Sequence, residues 1–324
     1  MKTAKENNNG KQDRTRRQHW LPLAAHLQNF TVEGKVQVYQ FTNNDKVEFA
    51  KTAKQFSTNP INVSVKNDMY EAPGLPVNLI EDGLAQIENA FNAILEEKIK
   101  KHKPLSKLDH DKIAYFASSL EFRSLAQNNH LQRTMDKLEE KGRIMALANN
   151  SPRAAKEWSK EVSAAREVIF SQAISVALDV NKWQYLDYCF LSPQPLVDIE
   201  FITSDHPVSL VDFTADNSFY GKNHWNKTAE CIVPLTPDIV LFGNNCGIKG
   251  FKEIDYNFVR EINYRVLSRA EKMIISRRKI SEDENRAIVR REPQSILLHF
   301  MNLPKGNIDL VLEKLRKEDR QSKQ

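Results

Sequence analysis

The groups with the most chemical capacity gather at Phe201-Ile-Thr-Ser-Asp-His-Pro207, where Ser204, Asp205 and His206 stand side by side. A short apolar run enters this stretch and Pro207 closes it, so the three polar residues fall where a strand stops. Strand ends and the loops after them are where a rigid scaffold displays polar chemistry. Asp205 could ligate a cation or bond the backbone of its own turn, and the residue before a proline is pushed toward extended backbone. Ser204 has no neighbouring base in sequence to activate it as a nucleophile.

Three further residues belong to the same inventory. His19 lies beside Trp20 at the entry to an apolar segment. Glu88 borders the apolar stripe of a helix, two turns after Glu81; the two carboxylates are about 10 Å apart along the axis, too far to share one small ion. Arg123 borders the apolar face of the next helix and could clamp a phosphate or join an ion pair. If these groups converge, His19, Glu88 and Asp205 could hold Mg²⁺ or Mn²⁺ and Arg123 could steady phosphate charge, the constellation of a metal-assisted hydrolase. If they do not, the same residues form a polar network in a non-catalytic ligand-binding or effector module. His224-Trp225 reads as an exposed loop suited to stacking on a base or sugar.

The elements that would position these groups follow from periodicity. A short helix is expected over 22–30, a strand over 34–41 and one or two more within 45–66. Residues 77–101 show the clearest helical stripe, through Ile80, Leu84, Ile87, Phe91 and Ile94. Helices over 109–127, 131–148 (weakened by Gly142) and 152–177 complete a helical block. Short strands follow over 183–191, 199–203, 208–213, 230–234 and 239–242, then a helix and a last strand at 273–276. Strands, a run of helices, then strands again define an α+β fold: one mainly antiparallel sheet with the central helical block packed on one side.

Composition bounds the function. The chain has 324 residues, 40% hydrophobic and 27% charged, with a net charge of +5. Residues 1–17 carry +4 and 311–324 carry +2, which leaves the body at −1. The basic character therefore sits in the tails, and a nucleic-acid partner would be met first by the N-terminal arm. Three scattered cysteines form no Cys-x-x-Cys pair, and no apolar run is long enough to span a bilayer, which points to a reducing cytoplasm. The expected organisation is a disordered basic arm over 1–17, a single α+β domain over 18–280, and a charged helical extension or tail over 281–324. Phosphate-binding, dinucleotide, nucleophile-elbow and zinc-protease motifs are all missing.

Several short pieces, in order, resemble a bacterial family known as domain of unknown function 4238. They are Gln18-His-Trp-Leu-Pro with His26-Leu-Gln-Asn-Phe30, the strand at 34–39, Asp68-Met-Tyr70, Ile87-Glu88, Arg123, Phe201-Ile-Thr-Ser-Asp-His-Pro207, Pro234-Leu-Thr-Pro237 and Glu261-Ile-Asn263. His206 stands at the variable position of the family's Phe-Ile-Thr-Ser-Asp-x-Pro signature, where asparagine is common, which leaves Asp205 the stronger candidate. The resemblance covers about 18–280 and implies a site, not a reaction.

Overall fold

A computed structural model describes residues 15–41, 46–212, 224–291 and 294–301. Most of the N-terminal arm and residues 302–324 lie outside these, as does the start of the loop before His224.

The class is α+β with mainly antiparallel pairing, but the strands divide into three sheets. Strands β1 (Arg17–His19) and β4 (Val65–Asn67) form a small antiparallel pair. Strands β2 (Val36–Gln40) and β3 (Lys54–Thr58), flanking a single helical turn α1 (Phe49–Thr52), pair with β11 (Met273–Ser276) and the two-residue β6 (Thr203–Ser204), in the order β3-β2-β11-β6. The third sheet is the centre of the molecule. It comprises β5 (Asp187–Pro193), β7 (Ser209–Asp212), β8 (Ala229–Thr236), β9 (Ile239–Asn244) and β10 (Gly250–Ile254), in the order β10-β5-β9-β8-β7, and only β10 pairs parallel.

Strand alternation explains why this sheet is central. On one face Tyr188, Phe190, Val233 and Leu241 join the core shared with α2 (Leu79–Ile94) and α3 (Lys107–Phe122), including Leu84, Phe91, Ile113 and Phe116. On the other, Cys189, Leu191, Ile232, Val240 and Phe242 pack with Phe258, Ile262 and Val266 of α6 (Tyr256–Arg269). A sheet covered on both faces is written as continuous apolar runs, and every residue of β8 and β9 is buried. The helical block thus lies on one side, as expected, while α6 occupies the other.

Helix ends moved from their expected places. α2 continues through a widened turn at Leu95–Ile99. The helix expected over 109–127 stops at Phe122, and Ser124 caps a new helix, α4 (Leu125–Ala148), by accepting the Gln127 amide. α4 and α5 (Pro152–Asp179) form a long hairpin. After α6 and β11 come α7 (Glu282–Val289) and the short α8 (Ile296–Phe300), which pack on the α6 side. In place of a helix over 22–30 there is only a tight turn at Leu27–Phe30.

Gly142 has a packing role. A methyl group there would meet the Trp158 indole at 2.0 Å, where the ring crosses α4 and donates to the Leu138 carbonyl at 3.2 Å. Alanine is the better helix former by about 1 kcal/mol, but it displaces the ring. We expect Gly142→Ala to destabilise the protein by a net ~1 kcal/mol, read as a fall in Tm of about 2–4 °C.

Candidate functional site

The polar residues singled out by sequence fall into two groups joined through the core. In the first, the Arg123 guanidinium is 1% exposed at the end of α3. Its Nη1 donates to Glu88 Oε1 at 2.5 Å, its Nη2 to the His19 carbonyl at 2.5 Å and its Nε to the Tyr70 hydroxyl at 3.2 Å. Tyr70 in turn donates to the same His19 carbonyl at 2.9 Å, and its own amide donates to the Gln18 side chain at 2.8 Å. Burial opposes the arginine's charge, but the Tyr70 and Glu88 oxygens more than offset this and raise its pKa. Burial likewise pushes Tyr70 up to about 12.

His19 serves this cluster through its backbone. Its ring Nδ1 lies 3.1 Å from the Val63 carbonyl and therefore donates to it, and burial, opposed by that bond, lowers its pKa. Glu81 joins from the first turn of α2. Burial pushes its carboxyl up to about 7, with Glu88 and Asp82 adding to the rise and Arg123 opposing it, and its Oε2 is buried without a hydrogen-bond partner among the described residues.

In the second group Asp205 is 1% exposed and receives the backbone amides of Glu271 at 2.9 Å and Lys272 at 2.7 Å. Burial pushes it up to about 6 against the pull of those amides. The carboxylate thus ties the end of β6 to the α6–β11 turn, and Lys46 Nζ bonds the Ala270 carbonyl of the same turn. Ser204 Oγ accepts the His206 amide at 3.2 Å, so that hydroxyl serves its own turn. Neighbouring residues are pinned in the same way: Asn263 of α6 accepts the Ile202 amide and donates to the Glu200 carbonyl, and the Phe201 amide donates to the Pro237 carbonyl.

His26 bridges the two groups. It is completely buried, with Nε2 2.8 Å from Thr203 Oγ1 and Nδ1 without a partner among the described residues. Burial first, then the Arg123 charge, pushes it down to about 3. It stands in the opening His-Leu-Gln-Asn-Phe segment, but an isolated histidine on a short apolar stretch carries no signal of this bridging role.

The set His19, Glu88 and Asp205 is not assembled as a metal centre. Among the described residues no group of three His, Cys, Asp or Glu side chains is spaced to hold an ion. The physical reason is prior engagement: Arg123 takes Glu88, and two amides take both oxygens of Asp205. His224 also departs from expectation. It is 3% exposed, with Nε2 3.1 Å from Glu121 Oε2, and Trp183 Nε1 donates to that same oxygen at 2.9 Å. Burial opposes the Glu121 charge, but the approach of His224, the Trp183 hydrogen bond and the Lys182 charge outweigh it and hold its pKa below the usual range. Only Trp225, 58% exposed, faces solvent.

His206 is the predicted site residue that borders an open space. A cleft of about 420 Å³ is lined by His206, Gln127, His130 and Arg133 of the α4 segment, and Arg269 and Glu271 of the α6–β11 turn. Burial, followed by the nearby Arg269 charge, pushes His206 down to about 4, so its imidazole is neutral at pH 7. Glu271 is engaged by Asn129 at 2.9 Å and Arg133 at 3.6 Å, whereas Arg269 forms no ion pair among the described residues. Sequence reasoning missed His130, Arg133 and Arg269, which belong to no motif and meet His206 only through the fold.

Together these features define an α+β protein whose signature residues are buried joints around a basic cleft. The chain belongs to the family described as Protein of unknown function (DUF4238), whose model matches residues 17–280. No curated protein and no solved structure matches it.

Arg123 is expected to be the most costly single loss. Arg123→Met strands Glu88 and the His19 carbonyl and should cost about 3–5 kcal/mol in denaturant unfolding. Glu81 gives a pH dependence of defined sign. Its folded pKa, about 7, lies above its ordinary 4.5, so the folded state binds the extra proton and stability falls as pH rises through that window. Glu81→Gln should therefore match the wild type near pH 4 and exceed it in urea midpoint at pH 8.

Proposed function

We propose that the protein binds a phosphate ester, with nucleic acid as the leading class, in the cleft beside His206. The observation that carries this reading is the charge of the cleft. Two arginines, Arg269 and Arg133, face a single acid, Glu271; Arg133 and Asn129 engage that acid, and Arg269 keeps its donors free among the described residues. Arginine's planar fork matches phosphate oxygens. Asp205 contributes by locking the turn that bears Arg269 and Glu271. The basic residues of the N-terminal arm would add sequence-independent attraction to a longer strand.

A second reading, hydrolysis of the bound ester, is favoured by one observation. His206 is neutral at pH 7 beside an arginine, so it can take a proton from a water whose oxygen bonds to phosphorus and return it to the leaving oxygen as the ester P–O bond breaks, while Arg269 stabilises the charge gathering on phosphate. Both readings predict that a short fluorescent oligoribonucleotide binds the full chain at low salt. In anisotropy titrations Arg269→Glu should weaken binding at least about tenfold, equally for all sequences, with a shallower salt dependence. Absence of binding, or binding indifferent to Arg269→Glu, overturns the proposal. Release of shorter fragments by the wild type and not by His206→Gln separates hydrolysis from binding alone.

A further inference from the structure

A second cavity, of about 540 Å³, lies at the opposite end of α3 from the His206 cleft. α3 has 16 residues and so measures about 24 Å, which makes the two spaces separate. Aromatic rings arranged in stacks form its walls. His102 lies on Phe251 with centroids 4.6 Å apart and planes 12° apart, and His110 lies on Tyr188 at 4.2 Å and 17°. Phe190, two residues beyond Tyr188 on the same face of β5, stacks on Phe251 at 5.2 Å, and the parallel register pairs those two residues.

His102 is exposed and held at φ +50°, a left-handed conformation that is unfavourable for a non-glycine residue. The connection between α2 and α3 therefore keeps an aromatic ring at the mouth of the cavity at some energetic cost. His110 Nε2 donates to the Leu186 carbonyl at 2.8 Å, a bond that fixes the ring and does not use Nδ1.

The charged groups at the rim are unequal. Both oxygens of Asp187 are engaged, by Lys249 Nζ at 2.8 Å and the Gly247 amide at 3.0 Å. Lys107 is exposed and makes no ion pair among the described residues. The first turn of α3 is already capped by Ser106 and Asp109, with Lys98 on the carboxylate, so an incoming anion would be met by the lysine side chains and not by the helix end.

Flat walls, a His110 ring nitrogen and two rim lysines set against the single carboxylate of Asp187 have one ligand chemistry in common. The geometry points to a binding site for a small planar aromatic anion, its ring laid against the His102–Phe251 and His110–Tyr188 stacks and its carboxylate or phosphate directed at Lys107 and Lys249. The volume suits a molecule the size of a mononucleotide or an aromatic acid. Stacking of this kind tolerates many ring types, because every aromatic ring has a π-face.

The test is calorimetric titration of the full chain with adenosine 5′-monophosphate, 2-aminobenzoate and ribose 5-phosphate. The first two separate a nucleotide from an aromatic acid, and the third lacks the ring. Each titration is repeated in Arg269→Glu, which removes anion binding at the other cleft. At least one aromatic probe should bind with Kd below about 1 mM in both backgrounds, and ribose 5-phosphate should not bind in Arg269→Glu. His102→Ala and Lys107→Glu, both at exposed positions, should each weaken the aromatic probe about tenfold or more with Tm unchanged. The inference fails if neither aromatic probe binds in Arg269→Glu, if ribose 5-phosphate binds there equally well, or if both variants leave the affinity intact.

Discussion

A guanidinium cannot shed its charge, so burying Arg123 obliges the surrounding chain to supply oxygen atoms in the plane of its fork. Three segments far apart in sequence do so: the N-terminal strand through the His19 carbonyl, the segment before α2 through Tyr70, and α2 itself through Glu88. The constraint reaches outward from there. Arg123 is the residue at which α3 stops, and α4 begins two residues on, at Leu125, under the Ser124 cap. The arginine holds the β1–β4 pair against the helical block, and its positive charge, together with burial, keeps His26 neutral beside Thr203. A closed network of this kind confers uniqueness more than net stability, because desolvating the charges costs about as much as their pairing returns.

The same logic recurs on the other face of the central sheet. Glu230 lies fully buried in β8, paired with Arg265 of α6 at 2.6 Å and accepting the Leu297 amide at the start of α8 at 3.0 Å. Arg265 also bonds Glu261 and the Gln294 carbonyl. A charge inside an apolar strand thus specifies which helix covers it and draws the segment beyond the family-matched region onto the core. Asp205 works on a smaller scale, using two backbone amides in place of an arginine.

These joints explain why Glu88, Asp205 and Ser204 do not line the cleft that His206 borders. Glu88, Asp205, Ser204 and the His19 backbone spend their hydrogen-bonding capacity on the fold. What they position is a turn carrying Arg269 and Glu271 opposite the start of α4, with His206 between them. The cleft is therefore one step removed from Arg123, Glu88 and Asp205, and the His206 ring is where the two meet.

Much of the architecture was legible in the residues. The stripe through Leu84, Phe91 and Ile94 marks α2, the apolar runs mark β8 and β9, and the order of strands, helices and strands marks the class, because burial periodicity is a local property of the chain. The positions of Arg123, Glu88 and Asp205 at element borders were also visible. Their partners were not. Whether a border carboxylate ligates, pairs or caps depends on which distant segment arrives opposite it, and that arrival is decided by the summed packing of the whole core. Local pattern thus carries the class, most of the elements and the placing of polar residues at the end of the strand before Pro207. That Asp205 and Arg123 are joints, that His224 is buried against Glu121 and that His206 faces a cleft with Arg133 and Arg269 follow from how distant segments pack. Electrostatic satisfaction of a buried group is a relation between segments far apart in the chain, and no local pattern encodes it.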